Sequence, residues 1–338
     1  MNGFLSPGQP EAIRSCFPRF HGVIYIKNQE TMTDRMPARL ADMKTFGEDA
    51  MDRHVLLTIS DDVSSLQAVR FTAGYFTGAS RLLLTLLYIA PNPKAGLPES
   101  EIIHNHNSLN QRTAQAKARA QAVLDKAEEL LLLKHFPADR IHKKIAFKQL
   151  GTATDIIQES ISGMYDAVVL GRRGLSRLEE FISGSVSREI FSAPMEVPLW
   201  ICRRQERVNP HLLLCVDGSP SGRRCADHVG FMLREEARHR IDILHVATPG
   251  TGTAAGKILE EARCALEANG IAPERIGEKV IESPAAAKTI LDQALTGGYG
   301  VVAAGRKTPD GAASTRITGS SSTVLLKSLD FAALWISA

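Results

Sequence analysis

The sequence predicts an α/β chain built of two tandem, doubly wound parallel sheets. Three observations lead there. Apolar strand-like runs alternate with helical stretches along most of the chain. The strands are apolar throughout, which is the pattern of parallel strands covered by helices on both faces. The succession of elements also runs twice. Tyr165-Asp-Ala-Val-Val-Leu-Gly171-Arg172 is answered by Tyr299-Gly-Val-Val-Ala-Ala-Gly305-Arg306, and Pro198-Leu-Trp-Ile201 by Ala333-Leu-Trp-Ile336.

The first copy opens on a strand over 53–59. A Ser/Asp-rich turn over 60–65 leads into a helix over 66–76, because these side chains cap and turn the backbone. A strand over 81–89 and a polar loop come next. A long helix over 108–135 carries Ala114, Ala118 and Ala122 on one face. Then come a strand over 141–147, a helix over 152–165, a strand over 166–170, a glycine-bearing loop, a helix opening at Gly184 and a closing strand over 197–202.

The second copy repeats this with strands over 211–216, 241–246, 276–281, 300–304 and 331–336. Its helices run over 222–234, 253–269 and 285–295, and a last one opens at Gly319-Ser320. Domains are therefore expected over 53–204 and 211–338, joined by a linker at 205–210. Residues 1–52 hold Pro7, Pro10, Pro18 and Pro37 and one strand-like piece, Gly22 to Ile26. They read as a poorly ordered extension, an added edge strand, or a start displaced from Met51.

Composition narrows the function classes. The 338 residues carry a net charge of only +3, so the chain lacks a general polyanion-binding signal. Aromatic residues are 6%, which offers no stacking platform for nucleic acid. No run is long enough to span a membrane, and the N-terminus lacks the basic-then-apolar pattern of a secretory signal. Cys16, Cys202, Cys215, Cys225 and Cys264 form no Cys-x-x-Cys pair. Neither a zinc site nor a disulfide framework is expected, and a reducing cytoplasm fits.

The chemically informative stretch is Gly171-Arg-Arg-Gly174, then nine residues, then Gly184-Ser185-Val-Ser187. Two glycines close a strand and a third opens a helix. Glycine admits close approach of a ligand, and helix-start amides attract phosphate. Ligands in such sheets bind beyond the strand C-termini, at the point where the strand order reverses.

Other clusters are weaker. His104 and His106, near Glu99 and Glu101, fall in the polar loop, where a solvated loop competes with a weak divalent site. The basic stretch from Lys134 to Lys144 reads as a solvated helix end. Asp217-Gly-Ser219 is more simply a turn and cap than a nucleophile, and Gly-x-Ser-x-Gly and a Walker lysine are both missing. No catalytic or metal-binding residue is assigned.

The glycine spacing resembles the Gly-x2-Gly-x9-Gly-Ser signature of the nucleotide-binding universal stress proteins, and the resemblance covers residues 53–338. Asp217-Gly-Ser-Pro-Ser221 and Leu244-His-Val246 are also similar to that family. It implies a Rossmann-like, five-stranded sheet per copy, akin to the adenine nucleotide alpha hydrolases, and two copies packed as a pseudo-dimer. It further implies a cytoplasmic stress-response regulator that binds ATP or AMP, with Mg accompanying ATP.

By that resemblance the first copy holds the nucleotide. Gly171 and Gly174 face ribose and phosphates, Gly184, Ser185 and Ser187 donate to phosphate, and Ile89 sets its backbone against adenine. Arg172 pairs with phosphate or is solvated. Ser60 stands where the family has an acidic residue, with Asp61 next to it. The second copy keeps Asp217 but has Thr308 at the second glycine and ten residues before Gly319. It is expected to supply structure or a partner surface. Alternatives are a nucleotide-free scaffold and a weak ATPase. The final strands, read as exposed edges, would pair two chains as a homodimer. The protein partner is unidentified, and neither membrane nor nucleic acid is expected.

Overall fold

The central strands carry unbroken apolar runs, so each has two faces to bury, and the chain meets this with a sheet between two helical layers. The computed structural model describes residues 52–77, 81–172, 186–193, 195, 197–205, 207–250, 254–306 and 321–337. The expected strand at Gly22–Ile26 lies outside them, as do Cys16, Gly174, Gly184, Ser185, Thr308 and Gly319.

In the first half the strands are β1 (Arg53–Ile59), β2 (Leu82–Ala90), β3 (Ile141–Phe147), β4 (Ala167–Gly171) and β5 (Leu199–Cys202). Its helices are α1 (Leu66–Tyr75), α2 (Glu99–His104), α3 (His106–Leu132), α4 (Thr152–Ser162) and α5 (Val186–Ser192). The second half repeats them as β6 (Leu212–Cys215), β7 (Ile241–Ala247), β8 (Ile276–Glu282), β9 (Val301–Gly305) and β10 (Ala333–Ser337). Its helices are α6 (Pro220–Leu233), α7 (Ala255–Ala268), α8 (Ala286–Thr296) and α9 (Ser321–Ser328).

Two expectations need correction. The polar loop before α3 contains the helix α2, so His104 ends one helix and His106 begins the next. Pro98 precedes α2, with Glu99 and Glu101 in its first turn, where acidic side chains favour the positive helix end. Glu residues read as loop polarity thus serve a helix start. The long helix also stops at Leu132 rather than 135, because His135 turns to φ 62° and Phe136 donates back to the Leu131 carbonyl at 3.1 Å.

The strand order is β3-β2-β1-β4-β5-β10-β9-β6-β7-β8. Within each half all neighbours are parallel, and the two halves join through one antiparallel pair, β5 with β10. Two separate sheets were expected; the described residues form one sheet of ten strands. The final strands are not edges offered to a second chain but pair with each other. Among the described residues the sheet edges are β3 and β8.

The register at the join sets Trp200 opposite Trp335. Both are fully buried, and their rings stack at 4.0 Å with planes 4° apart. Phe76 stacks on Trp200 at 5.6 Å. One apolar cluster, on the face of α1, α3, α6 and α7, takes residues from both halves, and so does the cluster beneath α4, α5, α8 and α9. Cys202, Cys215 and Cys225 are free, buried core residues, as expected for Cys202 and Cys215.

The two tryptophans are not equivalent. Trp200 Nε1 donates to His228 Nε2 at 3.0 Å, whereas Trp335 Nε1 has no partner among the described residues. Counted from Ser64 and Ser221, which lie against equivalent glycines, Phe71 stands in α1 where His228 stands in α6. Burial holds the His228 imidazole down at about 3, from 6.5. Between these values the unfolded chain binds a proton that the folded chain does not, so stability rises with pH. His228→Phe should cost about 1–3 kcal/mol at pH 7 by orphaning the indole N–H. The gap from wild type should then narrow as pH falls from 6.5 towards 3. Urea unfolding across that range checks it; a gap independent of pH would mean that His228 does not titrate as its burial requires.

Candidate functional site

The topology creates one crevice per half. In each, the strand order reverses between the first and fourth strands, β1 and β4 or β6 and β9. Register carries the candidate residues to one rim. Ile59 lies opposite Tyr88, so Ser60 and Ile89 leave the sheet at the same level. Thr58 lies opposite Leu170, which sets Gly171 and Arg172 at that level on β4. The structure thus brings Ser60, Asp61, Ile89, Gly171 and Arg172 together, with Ser187 in the first turn of α5. Gly174, Gly184 and Ser185 lie outside the described residues.

Ser60 takes the same local role as Asp217. The Asp62 amide donates to Ser60 Oγ at 3.3 Å, and the Ser219 amide donates to Asp217 Oδ1 at 3.0 Å. A short oxygen-bearing side chain at this position therefore closes the turn after the first strand in both halves. That accounts for serine and aspartate alike without a ligand.

Asp61 is bonded through both carboxylate oxygens. Tyr88 Oη donates to one carboxylate oxygen at 2.8 Å, and Arg119 Nε to the other at 2.8 Å. Burial alone would raise the Asp61 carboxyl, but the hydrogen bonds from Arg119 and Tyr88 outweigh it and leave it below the usual carboxylate range. Burial and the Asp61 hydrogen bond push the Tyr88 phenol up to about 12. Sequence reasoning missed Tyr88 and Arg119. Tyr88 reads as one more strand apolar, and Arg119 as one of many charges on α3.

Gly171 has a structural reason of its own. A Cβ there would meet the Ser64 carbonyl and lie 2.6 Å from Ser65 Cα, where the turn before α1 crosses β4. Gly305 meets Ser221 and Gly222 in the same way, with Gly222 N at 2.5 Å. The backbone that approaches these glycines is the protein's own.

Arg172, expected to meet phosphate or solvent, is half-buried and reaches the second half of the sheet. Its Nη1 donates to the Leu326 carbonyl in α9 of the second half at 2.9 Å. Burial, then the charge of Arg203, bring its guanidinium down to about 10. Ile89 is half-buried against the apolar cluster beneath α4.

The described rim thus presents the Ser60 hydroxyl and the Ile89 backbone beside Gly171. No group of three or more His, Cys, Asp or Glu arranged to hold a metal exists among the described residues. His106 instead contacts Asn110 at 3.0 Å. No helix among them is long and apolar enough to cross a membrane.

Comparison with known proteins bears on the fold and the family. Residues 51–203 match the universal stress protein family. A universal stress protein from Archaeoglobus fulgidus superposes with a TM-score of 0.63 at 19% identity, covering 84% of this chain and 97% of its own. That share takes in both halves of the sheet. A putative universal stress protein from Pseudomonas aeruginosa gives a TM-score of 0.47 at 17% identity, covering 85% and 94%. A universal stress protein solved in complex with cAMP gives 0.33 at 20% identity, covering 38% and 95%. No curated protein sequence matches the chain.

The contact at β4 is testable. Gly171→Ala and Gly305→Ala should each destabilise by about 1–3 kcal/mol or more, since the crowding atoms are backbone and cannot rotate away. Urea midpoints equal to wild type would mean that the turn before α1 does not lie on β4 as described.

Proposed function

We propose that this chain, a member of the universal stress protein family, is a cytoplasmic stress-response regulator whose first half binds ATP or AMP. One observation carries the proposal. The loop with the Gly171-x2-Gly174-x9-Gly184-Ser185 spacing leaves the end of β4 beside β1, where strand order reverses. That is where open α/β sheets hold ligands. The Ile89 backbone would face the base, Ser60 and Asp61 would help hold the nucleotide, Gly171 and Gly174 would face the ribose and phosphates, and Gly184, Ser185 and Ser187 would donate to phosphate. Mg would accompany ATP. The second half, with Thr308 at the second glycine, serves structure. Nucleotide acts as a signal rather than a substrate, as the resemblance to the family implies.

A second function is favoured by specific observations: a scaffold that binds protein without nucleotide. Asp61 is tied to Tyr88 and Arg119, Arg172 turns to α9, and Gly171 packs on Ser65. A slow ATPase is the third, tested by turnover of radiolabelled ATP that Gly174→Val abolishes.

To decide, the purified protein is denatured and released nucleotide identified by chromatography, alongside melting scans with MgATP. Ligand at a hundredfold over its dissociation constant stabilises by about 2.7 kcal/mol. The expected result is an upward melting shift that Gly174→Val removes. No released nucleotide and no shift would discard nucleotide binding and leave the scaffold.

A further inference from the structure

The carbonyls at a helix C-terminus lack partners within the helix and carry the negative end of its dipole. At the join between the halves, four helices present such ends, and in each case an arginine from the opposite half meets them. On one face, Arg53 of the first half donates to the Met232 carbonyl of α6 at 2.6 Å. Arg238 of the second half donates to the Gly74 carbonyl of α1 at 2.9 Å and to that of Tyr75 at 3.3 Å. On the other face, Arg172 and Arg203 of the first half both donate to the Leu326 carbonyl of α9. Arg306 of the second half donates to the Phe191 carbonyl at the end of α5 and to that of Ala193 at 2.9 Å.

The second pair of clasps has internal symmetry. Arg172 follows β4 and Arg306 follows β9 at matching places. Their amides donate alike, to the Cys202 carbonyl at 2.8 Å and the Ser337 carbonyl at 2.7 Å. Each therefore sits at the root of its own glycine-bearing loop while its guanidinium holds the last helix of the other half. Arg53, Arg203 and Arg306 are all buried. A buried guanidinium is costly unless bonded, so these contacts persist as the halves stay joined.

We propose that these arginines form a reciprocal clasp that couples the two halves, so that Arg306 of the second half holds the order of α5, and Arg172 and Arg203 of the first half hold that of α9. The second half, whose own glycine spacing is broken, then acts as a clamp on the last helix of the first. This device needs no ligand and stands apart from nucleotide binding.

The test is hydrogen exchange followed by mass spectrometry on the full chain. Arg306→Ala should speed exchange at least tenfold in residues 186–192, in the half that does not carry the substitution, and leave 321–328 near wild type. Arg203→Ala should do the reverse. Arg306→Lys keeps the charge with fewer donors and should fall between, which preserves the test if the alanine variant does not fold. Faster exchange confined to the substituted half, or spread equally over both, would overturn the clasp.

Discussion

The antiparallel pairing of β5 with β10 is the contact on which the rest of the structure depends. A single half would end at an unpaired strand bearing a tryptophan, a flat apolar edge of the kind that invites uncontrolled pairing. The pairing removes that edge and stacks Trp200 on Trp335 at its centre. It also brings helix ends within reach of the opposite half, where Arg53, Arg203, Arg238 and Arg306 meet their carbonyls. Residues from Ala50 to Ala338 accordingly cluster as one unit.

Within this frame the two copies have diverged around the same crevice. Ser60 and Asp217 keep the turn after the first strand with different chemistry. Tyr88 of β2 reaches Asp61, whereas His245 at the matching place pairs with the Val216 carbonyl at 2.9 Å. At the join, His228 serves one tryptophan and Phe71 cannot serve the other. The scaffold tolerates these exchanges because strand pairing and the two apolar clusters set the backbone, leaving rim side chains to vary.

Much of the α/β pattern was legible because parallel strands are short continuous apolar runs and the repeat shows them twice. Boundaries such as Arg53–Ile59 follow from that contrast. The merging of the sheets was not legible. Leu199–Cys202 and Ala333–Ser337 look like any buried strand, and their pairing depends on a contact between residues 135 apart. Helix α2 was hidden because Glu and His suit a loop as well as a helix end. At the site, the strand-closing Gly171 lies at the rim of the crevice. The glycine spacing did not reveal what Gly171 and Arg172 touch, since Ser65 and Leu326 are remote in sequence and carry no motif.

The central claim is that one seam makes two copies into a single cooperative body, and both tryptophans of the chain lie in that seam. Urea unfolding followed in parallel by tryptophan fluorescence and far-ultraviolet circular dichroism tests it most directly. Coincident single transitions are predicted, because the seam and the bulk of the helices and strands should be lost together. A fluorescence transition that precedes the loss of secondary structure would show that the halves separate and persist alone, and would contradict the account.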